Sequence, residues 1–369
     1  MAKYIWQREG WPNLTWRAAE LEGVLTRASF AVGQLLGQLS RIGFDLRNQA
    51  GLETISDEIV SSAAIEGENL NRDDVRSSVA RRMEIVLSEK PGKEDHALDA
   101  RAEMLLDATR GWDRPMSAKR LKSWHAALFP SGFSGMTRIR VAAYRDDSEG
   151  PMQVVSRYGS LLRMHFQAPE AARLTQEMRS FVDGLNAPSA DPVIVRAGLA
   201  HLRFLTLHPF EDGNGRLARA MTEWVLARGE KSALRFYSLS SEIQKEKAAY
   251  YEELEHAQRN SLDVTRWLVW FVGCHERAVA AATGKLARIL RKADFWDVHR
   301  EMQLNERQRA MLNRLLDGFE GNLTSSKWAK ICKVSQDTAG REIDSLVAAQ
   351  ILVRVGQGRS THYELDMSP

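Results

Sequence analysis

Residues 193–206 of this 369-residue chain carry apolar side chains on every side of a helix: Val193, Ile194, Val195, Ala197, Leu199, Ala200, Leu202, Phe204 and Leu205. A helix apolar all round offers no face to water, so it must run through the centre of a helical domain. Asp191-Pro192 starts it, with an N-cap acid and a proline where the missing N–H costs nothing. A second helix is expected from about Gly215 to Ala227, with Gly229 as its C-cap. The residues between them form a short loop held between two core helices.

Helical spacing recurs on both sides, over 15–47, 52–65, 95–109, 117–128, 169–185, 240–258 and 262–299. The fold class is therefore mainly α. One β-hairpin is expected over Ile139–Ser156, turning at Asp146-Asp147-Ser148-Glu149-Gly150-Pro151. The end of the chain changes character. Helices over 306–316, 325–331 and 336–349 precede two apolar segments, 351–355 and 361–365, separated by Gly356-Gln357-Gly358. That order is a winged helix-turn-helix. A chain of this length exceeds what one core usually serves, so two or three domains are expected.

Hydrophobic residues at 44% and charged residues at 27% exclude a disordered chain. A net charge of +3 does not by itself demand a nucleic-acid partner. Cys274 and Cys332 stand far apart and form neither a metal spacing nor a disulfide framework. No apolar leader opens the sequence and no stretch has the length of a membrane span. A cytoplasmic protein is the expectation.

The chemistry concentrates at 208–219. Gly213-Asn214-Gly215 lets the backbone turn with its N–H groups exposed at a helix N-terminus, where the dipole also favours an anion. Arg216 and Arg219 lie three apart, on one helix face, and can grip one polyphosphate with forked hydrogen bonds. Asp212 sets a single carboxylate beside this nest, as Mg²⁺ takes when phosphate oxygens and water supply its other ligands. His208 titrates near neutral pH and can remove a proton from an attacking hydroxyl. Pro209 stiffens the loop and Phe210 anchors it. These are the parts of phosphoryl or nucleotidyl transfer. No Lys-Ser/Thr follows the glycines, so this is not a Walker loop.

The run His208-Pro209-Phe210-Glu211-Asp212-Gly213-Asn214-Gly215-Arg216-Leu217-Ala218-Arg219 resembles the Fic family motif HPFx(D/E)GNGRxxR at every specified position. The resemblance implies a Fic-type helical bundle with a β-hairpin flap that pins the target segment. It implies AMP transfer from ATP to a Ser, Thr or Tyr hydroxyl of a protein. His208 would be the general base and Asp212 the Mg²⁺ ligand. Gly213, Asn214 and Gly215 would cradle the phosphates, with Arg216 and Arg219 on the polyphosphate tail. The family often carries (S/T)xxxE(G/N) on an inhibitory helix, and Ser62-Ala63-Ala64-Ile65-Glu66-Gly67 is similar to it. Glu66 would then pair with Arg219 and keep ATP from seating its tail, while Ser62 holds the helix end or approaches the nucleotide. Tyr251 falls where an aromatic lies near the adenine in similar proteins. The expected domains are 1–90, a helical segment with the inhibitory helix; 91–300, the Fic core; and 301–369, the winged helix.

Between Leu304 and Tyr363 nine basic residues face six acidic ones, a modest excess. The third helix offers only Arg341 as a cation for DNA, and Asp337 beside it repels phosphate. DNA binding, protein docking and homodimerisation all stay open. Two other functions share the same residues: a DNA-binding transcriptional regulator whose Fic core senses nucleotide, and a Fic enzyme that removes AMP.

Overall fold

The computed structural model describes residues 2–40, 42–86, 94–158, 161–316, 318–319 and 321–366. In chain order its elements are α1 (Ala18–Leu39), α2 (Phe44–Ile65), α3 (Arg72–Met83), α4 (His96–Arg110), α5 (Ala118–Leu128), β1 (Phe133–Ser134), β2 (Thr137–Arg138), β3 (Gln153–Tyr158), β4 (Leu161–Gln167), α6 (Ala171–Asn186), α7 (Val193–Leu207), α8 (Asn214–Glu230), α9 (Leu239–Lys245), α10 (Lys247–Arg259), α11 (Thr265–Val298), α12 (Glu306–Leu316), α13 (Ser325–Cys332), α14 (Gln336–Ala348), β5 (Leu352–Val355) and β6 (His362–Leu365). The chain divides into two compact units, 1–283 and 284–369. The division falls inside α11, ahead of the boundary expected at 301. The boundary expected at 90 lies outside the described residues.

In the first unit, α7 is the central helix that its composition dictates. Ile194, Val195, Leu202, Phe204, Leu205 and Leu207 are all buried. Each contributes on the order of 2 kcal/mol by leaving water. The α8 helix packs along it and buries Leu217, Met221, Trp224 and Leu226. The segment from α1 to α3 belongs to the same unit. The helical pattern of 15–47 is interrupted: α1 stops at Leu39 and α2 starts at Phe44. The Arg47 guanidinium fixes that corner by donating to the Ser40 and Ile42 carbonyls, each at 3.0 Å.

The hairpin is displaced from its expected place. Residues 139–150 form no strand. Instead β3 and β4 pair antiparallel, with Val154 opposite Phe166 and Ser156 opposite Arg163. The polar turn does form, since the Ser148 N–H bonds Asp146 and the Gly150 N–H bonds the Asp147 carbonyl. However, it leads into β3 instead of joining two strands. The reason is Arg145, which is 3% exposed. Its N–H donates to the Pro209 carbonyl at 2.9 Å and its side chain to further carbonyls, so this backbone is committed to the 208 loop and not to a ladder.

The second unit has its own core of Phe295, Met311, Leu312, Trp328, Ile343, Leu346 and Ile351. Ser335 caps α14 through the Thr338 N–H. The strands β5 and β6 pair antiparallel, and Leu323 bridges to Tyr363. Glu342 ties this unit together by accepting from Arg307 Nε at 2.8 Å and Trp328 Nε1 at 2.8 Å.

Candidate functional site

The loop at 208–213 is braced from three sides. His208 ends α7 in the left-handed region, φ 47°, with its N–H on the Phe204 carbonyl. Arg145 grips the loop entrance, donating Nε to the His208 carbonyl at 2.8 Å and Nη2 to the Pro169 carbonyl at 2.5 Å. Phe210 is fully buried and stacks on His125 at 4.2 Å. The Ala142 N–H donates to His125 Nδ1, so His125 Nε2 carries the proton and faces the Asp212 carbonyl at 3.2 Å. Asn214 closes the loop from within. Its Oδ1 accepts from the Phe210 N–H at 3.0 Å and its Nδ2 donates to the Phe210 carbonyl at 2.7 Å. The Asn214 side chain is thus spent on the loop, which leaves only its backbone N–H for a ligand.

Gly213 sits at φ 79°, and a Cβ there would strike the Phe129 ring at 2.7 Å. After it, α8 begins, and the N–H groups of residues 214–216 have no carbonyl one turn back. Asp212 accepts from the Gly213 N–H at 2.6 Å and from the Ser134 hydroxyl, and keeps a side chain 44% exposed. His208 Nδ1 lies 3.4 Å from the Leu205 carbonyl, which assigns the proton to Nδ1 and the lone pair to Nε2. Burial pushes the His208 pKa down to about 4, the Leu205 carbonyl resists, and the Arg145 charge adds to the depression. The imidazole is therefore neutral at physiological pH.

Ser62 and Glu66, at the end of α2, reach this loop. Glu66 follows the last residue of α2, and its Oε1 accepts from Arg219 Nη2 at 2.7 Å. Arg219 is 2% exposed; it also donates Nε to Ser62 Oγ at 2.8 Å and Nη2 to the Ser62 carbonyl at 2.9 Å. Burial opposes the Arg219 charge, but Glu66, with Tyr250 and Tyr251, together offset it and the net pKa is raised. The same Glu66 carboxylate overhangs Gly215, where any Cβ would collide with it. Glu66 thus occupies the helix N-terminus and the buried arginine together. Arg216 does not share this partner: its Nη1 donates to Glu68 Oε2 at 3.2 Å, with Asp212 Oδ2 at 3.8 Å. Glu68 also meets Arg101 Nη1 at 2.7 Å.

A cavity of about 490 Å³ opens beside the loop, lined by Glu66, Leu205, His208, Gly215, Tyr251, Gln258 and residues of β3 and β4. Tyr251 is 41% exposed and faces this space. Its neighbour Tyr250 is a core residue whose hydroxyl meets His201 Nε2 at 2.9 Å. At the cavity edge Ser156 Oγ lies 2.7 Å from His165 Nε2, and His165 Nδ1 lies 2.7 Å from Glu255 Oε2, tying the strand pair to α10. Sequence reading missed Glu68, Arg101, His125, Ser134 and the role of Arg145. Each is far from 208–219 in the chain, and no local pattern marks it.

The Fic/DOC family model matches residues 115–226, which include α7, the loop and most of α8. Residues 115–226 are a Fic/DOC family domain. A model described as a domain of unknown function (DUF4172) matches residues 4–85, ahead of the Fic domain. One described as transcriptional regulator DIP2311-like, C-terminal domain, matches 316–366. The chain is 32% identical over 119 residues to protein adenylyltransferase Fic of Nematostella vectensis, covering 31% of this chain and 25% of that protein. It is 41% identical over 56 residues to protein adenylyltransferase fic-1 of Caenorhabditis elegans, covering 14% and 11%. The chain therefore spans a quarter or less of the length of these curated relatives. A solved Fic family protein from Desulfovibrio desulfuricans aligns at TM-score 0.52 and 19% identity, covering 94% of this chain and 97% of that one. A Fic domain containing signaling protein from Bacteroides thetaiotaomicron aligns at TM-score 0.53 and 18% identity, covering 71% and 97%. At these identities the likeness is one of fold.

Proposed function

We propose that this chain is a protein adenylyltransferase, moving AMP from ATP to a hydroxyl of a target protein, and that Glu66 holds it in a slow state. The observation that carries the reading is the position of Glu66 Oε1, on Arg219 and over Gly215. A carboxylate there fills the place that a helix N-terminus and a buried guanidinium offer to phosphate. His208 is the base: neutral, with Nε2 free to take the proton of an attacking hydroxyl. The N–H groups that open α8 hold the phosphates, with Arg216 and Arg219 on the tail. Tyr251 lies on the adenine side of the cavity, and the exposed β3 edge receives the target segment as an added strand.

Asp212 fits a magnesium site, being half-exposed and beside the α8 N-terminus. Among the described residues no three His, Cys, Asp or Glu side chains gather as metal ligands, so phosphate oxygens and water must complete the shell. The ion, when bound with ATP, neutralises phosphate charge. No described helix is long and apolar enough to cross a membrane. With Cys274 buried and both cysteines free, a reducing cytoplasm suits the chain.

For residues 301–369 the proposed role is that of a winged helix docking protein, not DNA. Arg341, the one cation on the helix that would enter a groove, is paired with Asp337 at 2.6 Å. Absence of a salt-dependent shift of duplex DNA by the full chain is the expected result.

The central test is intact-mass analysis of Glu66→Gly protein with Mg-ATP and cell lysate. A gain of one AMP on a protein, lost with His208→Ala added, supports both reaction and base. No gain in either form refutes the assignment.

A further inference from the structure

Three guanidinium groups, not two, meet the turn that follows α2. Arg219 faces Glu66, while Arg216 and Arg101 share Glu68, two residues on and across the left-handed Gly67, φ 83°. Arg101 comes from α4 and lies outside the His208–Arg219 run. It is close enough to Arg216 for its charge to work against that of Arg216, a repulsion that Glu68 offsets from between them.

The three arginines are poorly satisfied by what covers them. Arg219 Nη1, Arg216 Nε and Arg101 Nε are buried without a hydrogen-bond partner among the described residues. Arg219 Nη1 is aimed at the space over Gly215, where a Cβ would approach it to 3.3 Å. Leaving a buried N–H unpaired is costly, and an unpaired group of this kind calls for a partner such as an ion or ligand. Side chains of Arg101 and Arg216 are only 13% and 10% exposed, whereas Glu68 is 37% exposed. The carboxylate is the removable member and the guanidinium groups are the fixed ones.

We infer that Arg101 is a third anion-binding residue of the nucleotide site, taking the terminal phosphates of a nucleoside triphosphate, and that Glu68 covers it as Glu66 covers Arg219. The inference rests on the function proposed above. Withdrawal of the turn 66–68 removes two negative charges at once and exposes three fixed positive ones. That concentration of charge suits a chain of phosphates and is excessive for a monophosphate. Arg101 therefore discriminates ATP from AMP.

The opposing reading makes Arg101 a clamp that only holds Glu68 in place, and the two differ in sign. Binding of ATP and AMP is measured by calorimetry on Glu66→Gly/Glu68→Ala protein, with and without Arg101→Gln. The expected result is about a tenfold loss of ATP affinity on losing Arg101, with AMP affinity unchanged and partial recovery in Arg101→Lys. Equal ATP affinity with and without Arg101 overturns the inference and leaves the adenylyltransferase reading standing. Tighter ATP binding by Arg101→Gln in the otherwise native chain also overturns it, since only a clamp behaves so. If Glu66→Gly/Glu68→Ala protein binds no nucleotide at all, the underlying function falls and this inference with it. Thermal melts of each variant confirm that losses are not unfolding.

Discussion

Glu66 Oε1 lies 2.7 Å from Arg219 Nη2 and against Cα of Gly215, so one carboxylate holds a buried arginine and blocks a helix N-terminus. Replacement by glycine frees both at the same time. The expected outcome is faster AMP transfer by Glu66→Gly, by about tenfold or more, the usual range of a coupling between sites. Incorporation of labelled AMP into protein measures it. Equal rates for the two forms would remove the restraint from the proposal.

Ser62 supports the same arginine by accepting from Nε at 2.8 Å and, through its carbonyl, from Nη2. Ser62→Ala removes the hydroxyl and leaves a buried Nε–H unpaired, at a cost of about 1–3 kcal/mol to the restrained state. Activation smaller than that of Glu66→Gly is expected. Because both side chains act through Arg219, the double variant should show little gain over Glu66→Gly alone. Additive gains would mean that Ser62 acts elsewhere.

His208 carries the pH dependence. Burial, and then the Arg145 charge, favour the neutral ring and hold its pKa at about 4, against 6.5 for an ordinary histidine. A base with a lowered pKa stays unprotonated further into acid. Transfer by Glu66→Gly protein should thus persist below pH 6.5 and fall only as pH approaches about 4. An acid limb centred on 6.5 in kcat/KM would show that the ring is hydrated in the working enzyme.

Local chemistry was legible in the chain and long-range bracing was not. His208–Arg219 is continuous, so its spacing alone puts a histidine, an aspartate and two arginines on one loop. Glu66 stands out only once the Fic resemblance is in place, because Ser62 and Gly67 then match the family's inhibitory pattern around it. Glu68 lies 148 residues from Arg216, and His125 lies 87 from Asp212; only the packing of α2, α4 and α5 on α8 brings them together. The glycine neighbours of Asn214 mark its backbone N–H for an anion, but nothing local shows that its side chain closes the loop on Phe210. The hairpin was misplaced because alternation over 139–156 looks like a strand, while a buried Arg145 takes the backbone elsewhere.

Arg145 is the sharpest test of that bracing. It donates to the carbonyls of His208, Pro169 and, at 3.4 Å, Leu207, and to Asp147 at 2.9 Å. Lysine keeps the charge but has no planar fork, so it cannot reach these acceptors together. In Glu66→Gly protein, Arg145→Lys should leave buried carbonyls unpaired and cost about 2 kcal/mol of stability, seen as a lower melting temperature. The larger effect falls on His208, whose carbonyl Arg145 holds from one side. A displaced base of this kind typically costs about a hundredfold in rate. Circular dichroism should report an intact helical fold while transfer of labelled AMP drops. A variant that melts lower yet transfers at full rate would show that the loop keeps its shape without Arg145.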